Sequence, residues 1–129
     1  MQEIIIVEDS REDAEQARQA LTEAGLKNPV RVFETGEKAL DYLRSAEPPA
    51  MIFLDIKLPG RTGFDVLDSL RVKSAFDPVL RVVFSTLDDI PTIKEAYARG
   101  AHTFLTKPVN KVDVVALLKS FQHCFRADS

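Results

Sequence analysis

Five short apolar runs, each followed by a segment with helical spacing, constrain the fold of this chain more than any other feature. The clearest runs, IIIV at residues 4–7 and MIFL at residues 51–54, contain no polar side chain. Such runs are typical of parallel strands that are buried on both faces. We expect strands at residues 3–7, 30–32, 51–55, 79–84 and 103–106. Strands that alternate with helices predict an α/β fold with a parallel sheet.

Capping residues and stop signals predict a helix after each strand. Ser10, Thr35 and Asn110 carry side-chain oxygens of the kind that cap helix N-termini, and Gly25 follows the end of the first helical pattern. We expect the third and fourth helices at residues 64–72 and 89–99. The last helix is expected to bury Val114, Leu117, Leu118, Phe121 and Phe125.

Differences in apolar content between the runs predict the order of the strands. The first, third and fourth runs are continuously apolar, whereas Val30 and Val32 alternate with Arg31 in the second. Because central strands of an α/β sheet are covered on both faces, strands 1, 3 and 4 should be central and strands 2 and 5 should be edges. Right-handed crossovers then give the order 2-1-3-4-5. The predicted fold is a doubly wound, flavodoxin-like (βα)5 sheet, formed by a single domain of residues 1–129.

Composition argues against several classes of protein. The chain has 17 Lys and Arg against 20 Asp and Glu, and its formal net charge of −3 argues against a nucleic-acid-binding domain. A single cysteine, Cys124, rules out an internal disulfide. The sequence has neither a signal-peptide pattern nor an apolar run long enough to cross a membrane. We therefore expect a cytoplasmic protein that binds neither nucleic acid nor membrane.

Polar residues that carry chemistry stand where the predicted strands end. They are Glu8 and Asp9 after the first strand, Asp55 at the end of the third, Ser85 and Thr86 after the fourth, and Lys107 after the fifth. In a parallel sheet these ends share one edge, where ligands of open α/β sheets bind. Taken singly, each residue has a structural explanation, such as an acidic helix start, a turn hydroxyl or a solvated loop lysine. Because four strand ends deliver complementary groups to one edge, we expect a functional site there.

Three acids at one edge predict a magnesium site. Two carboxylates about 4 Å apart repel each other by roughly 4 kcal/mol at an effective dielectric constant of about 20, and a divalent cation relieves that repulsion. Glu8, Asp9 and Asp55 offer only oxygen ligands, which suit Mg²⁺. With Lys107 and Ser85 beside them, the group is typical of phosphoryl transfer. Asp55, at the centre, is the expected nucleophile that forms an aspartyl phosphate.

The same segments resemble the receiver domains of two-component response regulators, in particular the single-domain chemotaxis regulators. The resemblance lies in IIIVEDS, FLDIKLPGRTGFDVL, VVFST and AYARGAHTFLTKP, together with the amphipathic last helix. It implies that Asp55 accepts a phosphoryl group from a phosphohistidine of a partner histidine kinase or phosphotransfer protein. It also implies that Glu8, Asp9 and Asp55 bind Mg²⁺ together with the backbone carbonyl of Lys57.

The resemblance further implies how phosphorylation is read out. Ser85 matches the family's switch hydroxyl, Phe104 its switch aromatic residue and Lys107 its site lysine, and the Lys107–Pro108 bond is expected to be cis. Phosphorylation would draw Ser85 and Lys107 towards the new oxygens and turn Phe104 inward. The surface of helix 4, strand 5 and helix 5 would then change and signal to a downstream protein. The chain would be no enzyme beyond its own phosphorylation and dephosphorylation.

Three positions depart from the usual pattern of that family. Glu8 stands where Asp is more usual, so its reach to a metal is longer by one methylene. Ser85 replaces the commoner Thr and keeps the hydroxyl. Phe104 replaces Tyr, so a phenolic hydrogen bond takes no part in the readout.

Three other functions fit parts of the pattern. A haloacid-dehalogenase-like phosphatase needs a second carboxylate two residues after Asp55, where this chain has Lys57. A nucleotide-binding domain needs a glycine-rich loop after the first strand, and VEDSRED has no glycine. A receiver-shaped module that is never phosphorylated is disfavoured, because every acceptor-site residue is present. We expect a stand-alone receiver rather than a fragment, since the chain begins with Met1 and no linker-like run follows Phe125.

Overall fold

The computed structural model describes residues 2–58, 60 and 62–121. The elements are β1 (Ile4–Val7), α1 (Arg11–Glu23), β2 (Val30–Phe33), α2 (Gly36–Leu43), β3 (Met51–Asp55), α3 (Gly63–Arg71), a 3₁₀ turn (Ser74–Phe76), β4 (Leu80–Ser85), α4 (Ile90–Ala98), β5 (Thr103–Thr106) and α5 (Lys111–Ser120). Predicted and observed strands differ by no more than one residue at either end, and the shift at β4 makes Ser85 the last residue of the strand. Among the described residues, no helix combines the length and the apolar character needed to cross a lipid bilayer.

The sheet is parallel throughout and has the predicted order β2-β1-β3-β4-β5. Every residue of β1, β3 and β4 is buried, whereas β2 and β5 are partly exposed edges. The register pairs Val7 with Leu54, and Asp55 with Phe84. Asp55 therefore lies at the level where β1 ends, so the residues that follow Val7 reach the same edge of the sheet.

Helices cover both faces of the sheet and form two cores, because successive strand side chains point to opposite faces. Ile4, Ile6 and Phe53 pack with α1 and α5, and Ile5 and Leu54 pack with α2, α3 and α4. Full burial of one such side chain stabilises the fold by about 1.5–3 kcal/mol. The predicted core face of the last helix is buried at Val114 and Leu117 and partly buried at Leu118 and Phe121, and Phe125 lies outside the described residues.

Caps determine where the helices begin. The caps predicted for α1, α2 and α5 are present at Ser10, Thr35 and Asn110. Helix α3 begins with a capping box that the sequence analysis did not predict, in which Thr62 and Asp65 bond each other's backbone N–H groups. Because such a cap is typically worth about 1 kcal/mol, it stabilises the start of α3 close to the end of β3.

Candidate functional site

Three carboxylates meet at the carboxyl ends of β1 and β3, where the sequence predicted them. One oxygen atom from each of Glu8, Asp9 and Asp55 lies within 4.8 Å of the other two. Glu8 and Asp55 are buried, whereas Asp9 is exposed, so the cluster is open to solvent on the side of Asp9. Oxygen donors in such an arrangement suit Mg²⁺, which binds one or two carboxylates and keeps several waters. The residues present therefore fit the magnesium ion that the sequence predicted.

A glycine lets the loop after β3 pack tightly against the end of the strand. The backbone N–H of Gly63 donates to the carbonyl oxygen of Ile56 at 2.9 Å. A Cβ atom built on Gly63 would lie 2.3 Å from the carbonyl oxygen of Asp55, so only glycine permits this approach. In the same loop, the backbone N–H of Lys57 donates to Oδ1 of Asp55 at 3.2 Å. That hydrogen bond orients the Asp55 carboxylate.

Lys107 reaches the cluster from the loop after β5. Its Nζ atom lies 3.1 Å from Oδ2 of Asp55 and 2.5 Å from Oε1 of Glu8, and only 10% of its side chain is exposed. The backbone N–H of Lys107 donates to the carbonyl oxygen of Ser85 at 2.9 Å, which connects the loop to the end of β4. The Lys107–Pro108 peptide bond is cis, as the resemblance implied. The lysine is therefore a buried cation directed at two buried acids.

Asp13 is a site residue that the sequence analysis missed. Its Oδ2 atom lies 3.0 Å from Nζ of Lys107, 94 residues away in the chain. Asp13 stands at the start of α1, where its backbone N–H donates to Oγ of Ser10. One sequence signal could have indicated Asp13: it stands on the first turn of the helix that begins at the site.

Among the residues that the structure describes, no hydrogen bond or ion pair joins the other predicted site residues to the three acids. Ser85 is buried at the end of β4, and its Oγ atom accepts a hydrogen bond from the backbone N–H of Leu87 at 3.0 Å. Thr86 is exposed. Phe104 is partly buried against the core between the sheet and helices α2 to α4. Among the described contacts none joins Ser85 or Phe104 to Asp55, so the switch roles of both residues remain predictions.

Residues 4–119 match the family model described as the response regulator receiver domain. The chain belongs to this family. Receiver domains are signalling modules of two-component systems and are phosphorylated on an aspartate. This receiver domain is 32% identical over 121 residues to the two-component response regulator ARR7 of Arabidopsis thaliana. That alignment covers 86% of this chain and 58% of ARR7, so the chain spans little more than half the length of that relative.

Two further comparisons agree with the family. The chain is 31% identical over 113 residues to the DNA-binding transcriptional regulator NtrC of Klebsiella pneumoniae, and the match covers 88% of this chain but 23% of NtrC. The high-resolution structure of the chemotaxis response regulator CheY4 of Vibrio cholerae superposes with a TM-score of 0.78 at 26% identity. It covers 97% of this chain and 99% of CheY4. The doubly wound, flavodoxin-like fold predicted from the sequence is thus confirmed as that of a receiver domain.

Burial and neighbouring charges in the site of this receiver domain shift the pKa values of Glu8 and Lys107. Burial raises the pKa of Glu8 to about 7, against the opposing hydrogen bond from Lys107. Burial also disfavours the charge on Lys107, but hydrogen bonds to Glu8 and Asp13 and the charge of Asp55 outweigh it and raise the pKa of the lysine. The lysine therefore keeps its charge, while Glu8 is a weaker acid than a free glutamate.

Proposed function

We propose that this receiver domain is phosphorylated on Asp55 by a phosphohistidine of a histidine kinase or a histidine phosphotransfer protein, in a reaction that requires Mg²⁺. One observation carries the proposal: Asp55 lies in a cluster with two further acids, and its Oδ2 atom is 3.1 Å from Nζ of Lys107. A carboxylate between a group of metal-binding oxygens and an ammonium is suited to carry a phosphoryl group, because the added charge is neutralised from two sides.

In the proposed reaction, an oxygen of Asp55 forms a bond to phosphorus while the bond between phosphorus and the imidazole nitrogen breaks. The departing imidazole nitrogen keeps the electron pair of that bond. Glu8, Asp9 and Asp55 would hold Mg²⁺, with the backbone carbonyl of Lys57 as a further ligand. When bound, the ion would neutralise part of the charge on the phosphoryl oxygens.

Lys107 supplies the second cation from the other side of the acceptor. Its short contact with Asp55 places Nζ within reach of a phosphoryl oxygen on that residue. Hydrolysis ends the signal: water attacks phosphorus, the bond between Oδ and phosphorus breaks, and inorganic phosphate and the free carboxylate remain. We expect no turnover beyond these two reactions of Asp55.

Ser85 and Phe104 are the proposed switch residues. Oγ of Ser85, which accepts a hydrogen bond from the backbone N–H of Leu87, would donate its own hydrogen to a phosphoryl oxygen. One hydrogen bond to a charged group contributes about 1.5–3 kcal/mol, whereas a shift of a two-state equilibrium from 1:99 to 99:1 needs about 5.5 kcal/mol. The hydroxyl therefore needs help from Lys107 or from a partner.

The surface of α4, β5 and α5 is the proposed output surface. Ile90 and Tyr97 on α4 are 67% and 46% exposed, and Val112 on α5 is 75% exposed. A protein partner that docked on this surface would cover these three side chains. Movement of Phe104, which lies on β5, would change this surface.

The remaining expectations from the sequence are part of the same proposal. Residues 1–129 would act as a single receiver domain in the cytoplasm and without contact to a membrane. The predicted absence of nucleic-acid binding rests on the net charge of −3. NtrC is a DNA-binding regulator, but the match with this chain covers 23% of its length.

Transfer of labelled phosphoryl groups tests the proposal. The protein is incubated with labelled acetyl phosphate, and separately with phosphorylated histidine kinases, with Mg²⁺ or with EDTA. We expect Mg²⁺-dependent label in the wild type and in Asp41→Asn, an exposed acid of α2, but none in Asp55→Asn. Label on Asp55→Asn, or full labelling in EDTA, would contradict the proposal. Steady release of phosphate from many phosphoesters would indicate a phosphatase instead.

A further inference from the structure

The ammonium group of Lys107 has three N–H donors and faces three carboxylates. Nζ lies 2.5 Å from Oε1 of Glu8, 3.0 Å from Oδ2 of Asp13 and 3.1 Å from Oδ2 of Asp55. A lysine ammonium has no fourth donor. The hydrogen bonds of Nζ go to Asp13 and Asp55, while Glu8 holds the ammonium as an ion pair. A phosphoryl oxygen on Asp55 therefore competes with these carboxylates for the ammonium.

The three carboxylates differ in what they lose when Lys107 leaves. The side chain of Glu8 is 1% exposed and that of Asp55 is 6% exposed, whereas that of Asp13 is 32% exposed. A buried carboxylate without its cation is strongly destabilising. A partly exposed carboxylate exchanges its cation for water at little cost, since ion pairs near the surface contribute little. Of the two carboxylates that stay free when Asp55 is phosphorylated, Asp13 is therefore the one that gives way.

We propose that Asp13 is a positioning residue that competes with the phosphoryl group for Lys107. In the unphosphorylated protein, Asp13 holds Nζ towards the first turn of α1. With a phosphoryl group on Asp55, Nζ leaves Asp13 for a phosphoryl oxygen, and water solvates the Asp13 carboxylate. No covalent bond or proton moves in this exchange, since the ammonium keeps its three protons. The inference rests on the proposed function, because it requires Asp55 to be the acceptor.

The neighbouring residue provides a matched control. Glu12 precedes Asp13 on the first turn of α1 and is exposed, and no ion pair of Glu12 is found among the described residues. Asp13→Asn and Glu12→Gln change the net charge by the same amount on the same helical turn. A general electrostatic effect on anion binding acts in both variants, whereas release of Lys107 acts only in Asp13→Asn.

Binding of beryllofluoride, which mimics a phosphoryl group on a carboxylate, tests the competition. The affinity is measured by calorimetry with Mg²⁺ present for the wild type and both variants. Asp13→Asn should bind beryllofluoride about fivefold more tightly than Glu12→Gln, the factor that corresponds to loss of one competing ion pair of about 1 kcal/mol. Equal affinities of the two variants, or weaker binding by Asp13→Asn, would overturn the inference.

A second measurement needs neither metal nor phosphoryl analogue. The ¹⁵N resonance of the Lys107 ammonium is recorded in the metal-free protein, and it should shift in Asp13→Asn while Glu12→Gln leaves it in place. An unchanged resonance in Asp13→Asn would show that the contact does not hold Lys107, and the inference would fail. If the wild type takes up label but the two variants do not differ, this inference alone fails. If the wild type takes up no Mg²⁺-dependent label, the proposed function fails as well.

Discussion

The Nζ atom of Lys107 lies 3.1 Å from Oδ2 of Asp55, although 52 residues separate the two in the chain. The lysine is held at both ends. Its backbone N–H donates to the carbonyl oxygen of Ser85, and its ammonium lies 5.2 Å from the centroid of the Phe84 ring. Lys107 is therefore a pre-positioned cation, unlike the mobile lysines of a protein surface.

Replacing Lys107 by methionine should slow phosphorylation and also lower the stability of the fold, because the buried carboxylates of Glu8 and Asp55 lose their cation. Loss of one charge-assisted contact of about 1.5–3 kcal/mol corresponds to a rate lower by roughly 10- to 150-fold. The initial rate of labelling by acetyl phosphate measures the effect, and circular dichroism reports the fold. Lys111→Met removes an exposed lysine at the start of α5 and should leave the rate unchanged. Equal rates for the two variants would remove Lys107 from the proposed reaction.

Magnesium binding should weaken as the pH falls through neutrality. Burial raises the pKa of Glu8 to about 7, so a proton competes with Mg²⁺ for this carboxylate below that value. One pH unit below the pKa, the loss approaches about tenfold. Calorimetric titration with Mg²⁺ at a series of pH values measures it. Glu8→Gln should bind Mg²⁺ more weakly but without this pH dependence, and an equally steep dependence in that variant would assign the titration to another group.

Gly63→Ala should impair both stability and phosphorylation. The added Cβ would lie 2.3 Å from the carbonyl oxygen of Asp55, so α3 or the end of β3 must move. Such overpacking typically costs about 1–3 kcal/mol. Gly25→Ala is an informative contrast, since its Cβ would meet no atom within 4 Å and its cost comes only from a φ of +95°. Urea unfolding and labelling of both variants test this, and normal labelling of a stable Gly63→Ala would contradict it.

Stability should fall on acidification because of His102. The backbone N–H of Arg81 donates to Nδ1 of His102 at 2.9 Å, and burial together with the charge of Arg81 lowers the pKa of the imidazole below its usual 6.5. The folded state therefore binds fewer protons than the unfolded state. This contribution is fully present above pH 6.5 and is lost as the pH falls through the lower folded pKa.

Unfolding by urea at several pH values measures the effect of His102. The side-chain oxygen of Asn can accept the same hydrogen bond without titrating near pH 6. His102→Asn should therefore show a shallower loss of stability on acidification than the wild type. Parallel curves for the two proteins would mean that His102 contributes nothing to the pH dependence.

Most of the fold follows from local patterns in the sequence. Continuous apolar runs predicted the three central strands, and the alternation around Arg31 predicted an edge strand. Since parallel strands end at a common edge, these patterns also predicted that Glu8, Asp9 and Asp55 meet. In the structure, one oxygen atom from each of these three carboxylates lies within 4.8 Å of the other two. Hydrophobic periodicity and the right-handedness of crossovers are sufficient for this level of detail.

Contacts between distant segments were decided only in the folded chain. The pairing of Asp13 with Lys107 depends on how the first turn of α1 faces the loop after β5, 94 residues away. The close approach of Gly63 to Asp55 depends on how α3 packs against β3. Neither contact has a local pattern, because periodicity reports which face of an element is buried but not which side chain of another element lies opposite. Glu8, Asp9 and Asp55 were thus readable from the sequence. The sharing of Lys107 among Glu8, Asp13 and Asp55 was not.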